Sequence, residues 1–235
     1  MKTAIKHLFT AVSIVLITAC GGGGGGGSSS LAPVASTSTF PLFTVYVNTL
    51  QASSNTFSYS GEINRIPVTG SATITHGRLS AGTFEGISAQ QQTKTSTGSV
   101  SGNGQTAPIN TSAVFWVDSN YLPLGETGGN DYVVVNTPAV IPGTVRVNDT
   151  GTLYTLKRYS DSSKSVLRGT GSVSYVVEAD TTTTALLTFI RTEKDNFNSL
   201  TTITSRQMRI TPAGSFTRTK DTNLTDAGTL TGTYN

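Results

Sequence analysis

Hydroxyl side chains dominate this sequence and restrict the folds it can adopt. Of its 235 residues, 41 are Thr and 27 are Ser, whereas charged residues make up only 12%. Threonine favours strands, and serine and glycine favour turns. This composition argues against a helical bundle or a coiled coil. Short clusters of Val, Ile, Leu, Phe and Tyr recur along the chain, which argues against a disordered polymer.

Short strand-like runs alternate with turn residues from Phe40 onward. Examples of these runs are Leu42–Leu50, Thr56–Ser60, Ser71–His76, Thr111–Asp118, Asp131–Val135, Thr152–Tyr159, Ser172–Glu178, Thr184–Thr192, Leu200–Thr211 and Ser215–Lys220. This spacing predicts an all-β fold, either an antiparallel sandwich or a barrel-like curved sheet. The apolar run before Glu193 and the run after Ser199 predict a long hairpin. A short helix is compatible with the sequence only near Thr181–Ala185.

The N-terminus reads as an export signal. Lys2 and Lys6 precede an apolar stretch from Leu8 to Ala19, which is too short to span a bilayer. It ends in Ile17-Thr18-Ala19-Cys20, which resembles the lipobox of bacterial lipoproteins. A glycine tract and a β-rich segment follow, so the chain is similar to uncharacterised β-rich outer-membrane lipoproteins.

The resemblance implies that Cys20 carries a diacylglycerol thioether and becomes the acylated first residue after cleavage. Residues 21–30 are seven glycines and three serines, a flexible tether. Extended to Pro33, the tether has a reach of roughly 20 Å. The residue after Cys20 is Gly21 rather than Asp, and in the family this implies transfer to the outer membrane. The sequence leaves open which side of that membrane the protein faces.

Four segments follow from these signals: the signal peptide 1–19, the lipidated cysteine with its tether 20–33, and two β-rich parts, 34–143 and 144–235. The two β-rich parts differ in charge, because residues 20–143 carry a net −2 and residues 144–235 a net +3. A single sheet that continues across residue 143 is the alternative to two subdomains. Without residues 1–19 the net charge is +1, which argues against nucleic acid as a partner. The remaining candidate partners are the membrane, through the lipid, and a protein, glycan or lipid ligand.

Motifs for catalysis are sparse. His76 is the one histidine after residue 19, and we expect it at a strand end, facing solvent or a turn. Asp149-Thr150-Gly151 matches the tripeptide of aspartic proteases, which need two copies. A hairpin turn between Val145–Val147 and Thr152–Leu156 is the simpler interpretation. Asp118, Glu126 and Asp131 suggest only a loose calcium loop, so we expect no metal site, no cofactor and no enzyme.

Two patterns could carry binding. One is a basic stripe near the C-terminus, for which a solvated edge strand is the alternative. It consists of Arg206, Arg209, Arg218 and Lys220. The other is a set of aromatic residues that could line a cleft or simply fill the core: Phe115, Trp116, Tyr121, Tyr132, Tyr154, Tyr159 and Tyr175. The sequence thus predicts a lipid-anchored, non-catalytic binding or structural module. The alternatives are an envelope carrier or assembly factor with an apolar groove, and an enzyme.

Overall fold

A computed structural model describes residues 35–51, 54–129 and 131–234. One helix, α1 (Leu42–Gln51), precedes the strands. The strands are β1 (Ser54–Ile63), β2 (Ile66–His76), β3 (Ser80–Phe84), β4 (Ile87–Gly102), β5 (Gln105–Val117), β6 (Pro123–Gly128), β7 (Asp131–Val135), β8 (Thr150–Tyr159), β9 (Leu167–Ala179), β10 (Ala185–Asp195), β11 (Leu200–Ile210), β12 (Phe216–Thr225) and β13 (Gly228–Tyr234). Within these ranges, no helix is long and apolar enough to cross a bilayer.

The strands close into an antiparallel barrel of twelve strands with β3 as an extra strand. Each strand pairs with the next one in the chain, except that β2 pairs with β4 instead of β3. The barrel closes where β13 pairs with β1. β3 pairs with the part of β4 that lies beyond the end of β2 at His76. Its register on β4 is shifted by one residue relative to that of β2. The prediction of an all-β antiparallel fold is confirmed, and the curved sheet is closed. β7 and β8 pair with each other across residue 143, while the division into two folding units stays a prediction.

Tight turns with positive φ set the hairpins at one end of the barrel. Asn64 and Arg65 have φ of 49° and 65°, and Asn103 and Gly104 have φ of 51° and 72°. Such left-handed pairs match the right-handed twist of two-residue hairpins. The predicted long hairpin between β10 and β11 is also confirmed, with Asp195 capping its turn through its Oδ1 atom.

Helix α1 plugs the other end of the barrel, where the sequence predicted a strand. Leu42, Val45, Tyr46 and Leu50 are buried, at the i, i+3, i+4, i+8 spacing of one helical face. They pack against inward-facing residues of the strands, among them Leu187, Met208 and Ile210. The strand prediction was wrong because β-branched and aromatic residues can occupy a helix when tertiary packing covers one face. We call this the plugged end and the opposite one the open end.

Two further sequence expectations need correction. The segment near Thr181–Ala185 is a turn, held by side-chain hydrogen bonds between Thr184 and both Asp180 and Thr181. Four strands lie outside the runs named from the sequence: β3, β4, β6 and β13. They are rich in Thr, Ser, Gly and Gln, so their sequences lack the apolar alternation that marks a strand.

Candidate functional site: the barrel lumen

A cavity of about 990 Å³ occupies the barrel lumen. Phe57, Ile74 and Leu230 give one side of it an apolar lining. Its ionisable lining residues are His76, Lys94, Glu126, Asp131, Arg158, Arg168, Arg191, Asp195, Arg206, Asp221 and Asp226. The lumen is therefore amphipathic, with one apolar side and many fixed charges.

One group of these charges alternates in sign and is fully paired. We call Asp131, Arg158, Glu193, Arg191 and Glu126 the ion-pair ladder; it spans strands β6 to β10. Arg158 Nη1 lies 2.8 Å from Glu193 Oε2, Arg191 Nη2 lies 2.6 Å from Glu193 Oε1, and Arg191 Nη1 lies 2.7 Å from Glu126 Oε2. Arg158 also donates to Asp131. Glu193, at the centre, is only 1% exposed.

Two members of the ladder, Glu126 and Arg191, stay ionised. Burial acts to raise the pKa of Glu126, but the neighbouring Arg191 outweighs burial and the pKa is lowered. In Arg191, burial is outweighed by Glu126 and Glu193, so its pKa is raised. A buried ion that keeps both a partner and hydrogen bonds holds its side chain in one position. The ladder is thus a rigid, charged wall of the lumen.

A second group of charges is not balanced. We call His76, Lys94, Arg206 and Arg218 the cationic corner. Lys94 on β4 lies directly opposite His76 on β2, and its Nζ sits 4.5 Å from the centre of the Phe115 ring. Asp221 Oδ2 accepts hydrogen bonds from Arg206, at 3.3 Å, and from the Tyr234 hydroxyl, at 2.7 Å. The Arg218 guanidinium lies 5.8 Å from the centre of the Tyr234 ring.

The like charges of the corner act on one another. Burial lowers the pKa of Lys94 to about 8, with Arg206 as the next cause. Burial also lowers the pKa of His76 to about 3, and Lys94 and Arg218 add to the effect. Burial followed by Arg206 lowers the pKa of Arg218. The corner therefore carries excess positive charge on side chains that are largely removed from water.

Several residues that the sequence analysis placed at the surface lie in or beside the lumen. His76 ends β2 as predicted, but it is 8% exposed rather than facing solvent, and neither ring nitrogen hydrogen-bonds to a described residue. Arg206 and Arg218 point inward, whereas Arg209 is exposed and pairs with Asp180. The basic stripe is thus divided between the two faces of the wall. It does not lie on an edge strand, because the barrel is closed.

Asp149 is a turn residue, as predicted. Its Oδ2 accepts the Arg146 N–H at 2.8 Å, and its own N–H donates to the Arg146 carbonyl at 3.0 Å. The predicted hairpin was wrong, however, because Val145 bridges to Phe40 and β8 pairs with β7 and β9. The left-handed residue of the turn is Asn148, with φ 75°, rather than Gly151.

The three carboxylates of the loose calcium loop serve other roles. Asp118 Oδ1 accepts the backbone N–H groups of Asn120 and Leu122, and Glu126 and Asp131 belong to the ion-pair ladder. Within the described ranges, no three His, Cys, Asp or Glu side chains are grouped closely enough to hold a metal ion. Cys20, the predicted lipidation site, lies outside the described residues.

The aromatic residues do not form a single cleft. Tyr175 is buried in the core, and Phe115 lies beneath Lys94. Trp116 and Tyr132 each stack on Phe84 at 5.5 Å between ring centres. Gly125 leaves room for this stack, because a Cβ there would lie 2.4 Å from the Phe84 ring.

Sequence reasoning missed the ladder residues Glu193, Arg191 and Arg158. The available signal was the spacing of Arg191 and Glu193, two charges at i and i+2 in a strand that begins with buried apolar residues. Charges on the inward face of a strand indicate a lumen with polar contents.

Comparison with models of protein families, with curated proteins and with solved structures finds no match for the chain.

Proposed function

We propose that this protein is a lipid-anchored lipoprotein of the outer membrane whose barrel is a non-catalytic binding or structural module. The lumen supports the binding role, because it combines a cavity of about 990 Å³ with a rigid charged wall and one open end. A cavity of this size lies at the upper end of the range for small-molecule sites. The ligand is a small amphipathic molecule that enters at the open end.

The ladder supports a non-catalytic role. General acid catalysis needs a carboxyl group whose pKa is raised toward neutrality. In Glu126 the pKa is lowered by Arg191, so this carboxylate stays ionised and serves to hold an arginine in place. Such an arrangement recognises charge and shape.

The anchor rests on Cys20 and its tether. The described chain enters at the plugged end, where Phe40 pairs with Val145 before α1 begins. A flexible tether attached there would leave the barrel free to reorient at the membrane. To test this, a Cys20→Ser variant is compared with the wild type for incorporation of labelled fatty acid and for fractionation with outer membranes. Unchanged labelling and fractionation of the variant would contradict the anchor.

The binding role is tested by native mass spectrometry of the detergent-solubilised protein. We expect the wild type to carry a small molecule that Thr204→Trp, which fills the lumen, excludes. Thr229→Trp, on an exposed position of β13, is the matched control and keeps the molecule. A wild type without any bound mass, purified under several conditions, would favour a purely structural module.

One observation favours the carrier or assembly factor as a second candidate. Large apolar side chains are exposed around the open end: Val166, Leu167, Phe197 and Leu200. An apolar rim beside a cavity suits transient contact with a bilayer or a partner. The test is transfer of a fluorescent lipid between vesicles. Phe197→Ser should slow transfer, and Val140→Ser, also exposed but away from the rim, should not.

A further inference from the structure

A second cavity lies in the wall of the barrel, between β1 and β12 and beside Tyr234 of β13. Tyr234 lies opposite Phe57, and residues 54–56 of β1 and 216–218 of β12 pair with no described residue of β13. A cavity of about 400 Å³ occupies this place, which we call the seam cavity. It is lined by Ser54, Asn55, Thr56, Phe216, Thr217, Arg218 and Tyr234.

The seam cavity is walled by buried hydrogen-bond donors that lack acceptors. Arg218 is only 5% exposed, and its Nε, Nη1 and Nη2 atoms donate to no described residue. The Asn55 Nδ2 atom is also buried without an acceptor. The Tyr234 hydroxyl, which donates to Asp221, forms no hydrogen bond with either group. Leaving a buried cation without acceptors is costly, so native structures normally supply a partner.

The charges around the cavity define what this partner is. Arg218, Lys94 and Arg206 act on one another electrostatically; Asp221, paired with Arg206, is the acid that acts on Arg218, and Glu126 is the acid that acts on Lys94. Asp221 Oδ1 is itself buried without a hydrogen bond, so it adds one acceptor on the lumen side. Lys94 has no ion-pair partner among the described residues and sits over a ring instead. Positive charge therefore exceeds negative charge around Arg218, which favours an oxyanion as its partner.

We propose that the seam cavity binds a phosphate group through the Arg218 guanidinium and the Asn55 amide. The planar guanidinium offers several N–H groups to the oxygens of one phosphate, a geometry that lysine cannot supply. Lys94 and Arg206 add positive potential from the lumen side. The seam cavity shares no lining residue with the lumen cavity. The phosphate comes either from a soluble phosphate compound or from a phospholipid headgroup, because the cavity opens through the barrel wall.

The test is calorimetric titration of the full-length, detergent-solubilised protein with inorganic phosphate, in a buffer free of other oxyanions. We expect saturable binding by the wild type. Arg218→Gln and Asn55→Ala should each weaken binding, the former by about tenfold or more, the usual loss for a charge-assisted hydrogen bond. Arg209→Gln is the matched control, since Arg209 is exposed and paired with Asp180, and it should bind as the wild type does.

Further experiments distinguish a soluble phosphate compound from a phospholipid headgroup and guard against a variant that does not fold. Vesicles that contain phosphatidic acid, compared with neutral vesicles, report a headgroup; binding of vesicles without binding of inorganic phosphate assigns the lipid source. If Arg218→Gln fails to fold, Asn55→Ala and Arg218→Lys still test the site. No binding in either arm, or equal binding by the wild type and the site variants, would overturn the proposal and leave water as the partner of Arg218.

Discussion

The ion-pair ladder and the cationic corner lie inside the same barrel, but their buried charges are balanced to different extents. In the ladder each arginine lies between two carboxylates. In the corner Arg206 and Arg218 share one acid, Asp221, and Lys94 is acted on only by Glu126, which is already paired with Arg191. Breaking a buried pair is strongly destabilising, whereas an unpaired buried cation is itself a cost. The comparison teaches that the ladder belongs to the scaffold and that the corner is incomplete without an added anion.

The largest effect is expected at the centre of the ladder. Glu193→Gln removes the negative charge between Arg158 and Arg191 while keeping the shape of the side chain. Because two buried guanidinium groups lose their shared partner, we expect a loss of about 3–5 kcal/mol in the free energy of unfolding. The measurement is urea denaturation. Asp180→Asn, which breaks the exposed pair with Arg209, is the matched control and should cost less than about 1 kcal/mol. Similar losses in the two variants would remove the distinction between the ladder and a surface pair.

The same substitution should act with opposite sign in the two regions. Arg158→Met removes the partner of Asp131 and Glu193, so we expect a loss of about 3 kcal/mol. Arg218→Met removes an unpaired buried cation, so in phosphate-free buffer we expect no loss or a gain of about 1 kcal/mol. Thermal and urea unfolding of both variants provide the comparison. If Arg218→Met were as destabilising as Arg158→Met, the corner would have to contain a partner that balances Arg218.

The pH dependence of stability should show that burial disfavours the protonated form of Lys94. Its pKa in the folded protein is about 8, against an ordinary value of 10.5. Between these values the unfolded chain binds the proton and the folded protein does not, so stability rises with pH. The wild type should therefore gain about 1–3 kcal/mol over Lys94→Met between pH 7 and pH 10. Denaturation at several pH values tests this. A difference that is independent of pH would mean that Lys94 is solvated.

The smallest expected effect is the absence of a titration. The pKa of His76 is lowered to about 3, so its imidazole should stay neutral, with constant NMR shifts between pH 5 and pH 8. The contribution of the neutral ring to stability is complete above pH 6.5 and is lost as the pH falls toward 3. The variant His76→Gln assigns the resonance. A midpoint near 6.5 would show that the corner is open to water.

The sequence was sufficient to predict the fold class, but not to predict which side chains of each strand face the inside of the barrel. Strands such as β7 and β10 carry apolar runs and were placed to within three residues. β4 was missed, because Gln, Thr, Ser and Gly in a barrel wall are held by neighbouring strands rather than by apolar burial. Arg206 and Arg218 were assigned to a surface stripe, since alternation shows which residues share a face and cannot show that the charged face is the inner one. Helix α1 was missed because its packing partners come from distant strands.

The return of β13 to β1 also has a kinetic consequence. The pair Phe57 and Tyr234 joins positions at nearly opposite ends of the described chain, so the ring of strands closes only after the last strand is available. Non-local pairing of this kind lengthens the average sequence separation of contacts and slows folding, typically to the millisecond-to-second range. As the strands form in order, β1 can pair with β2 early, but its other edge lacks β13 until the last strand is present. Such a topology delays closure of the barrel until β13 has formed its hairpin with β12.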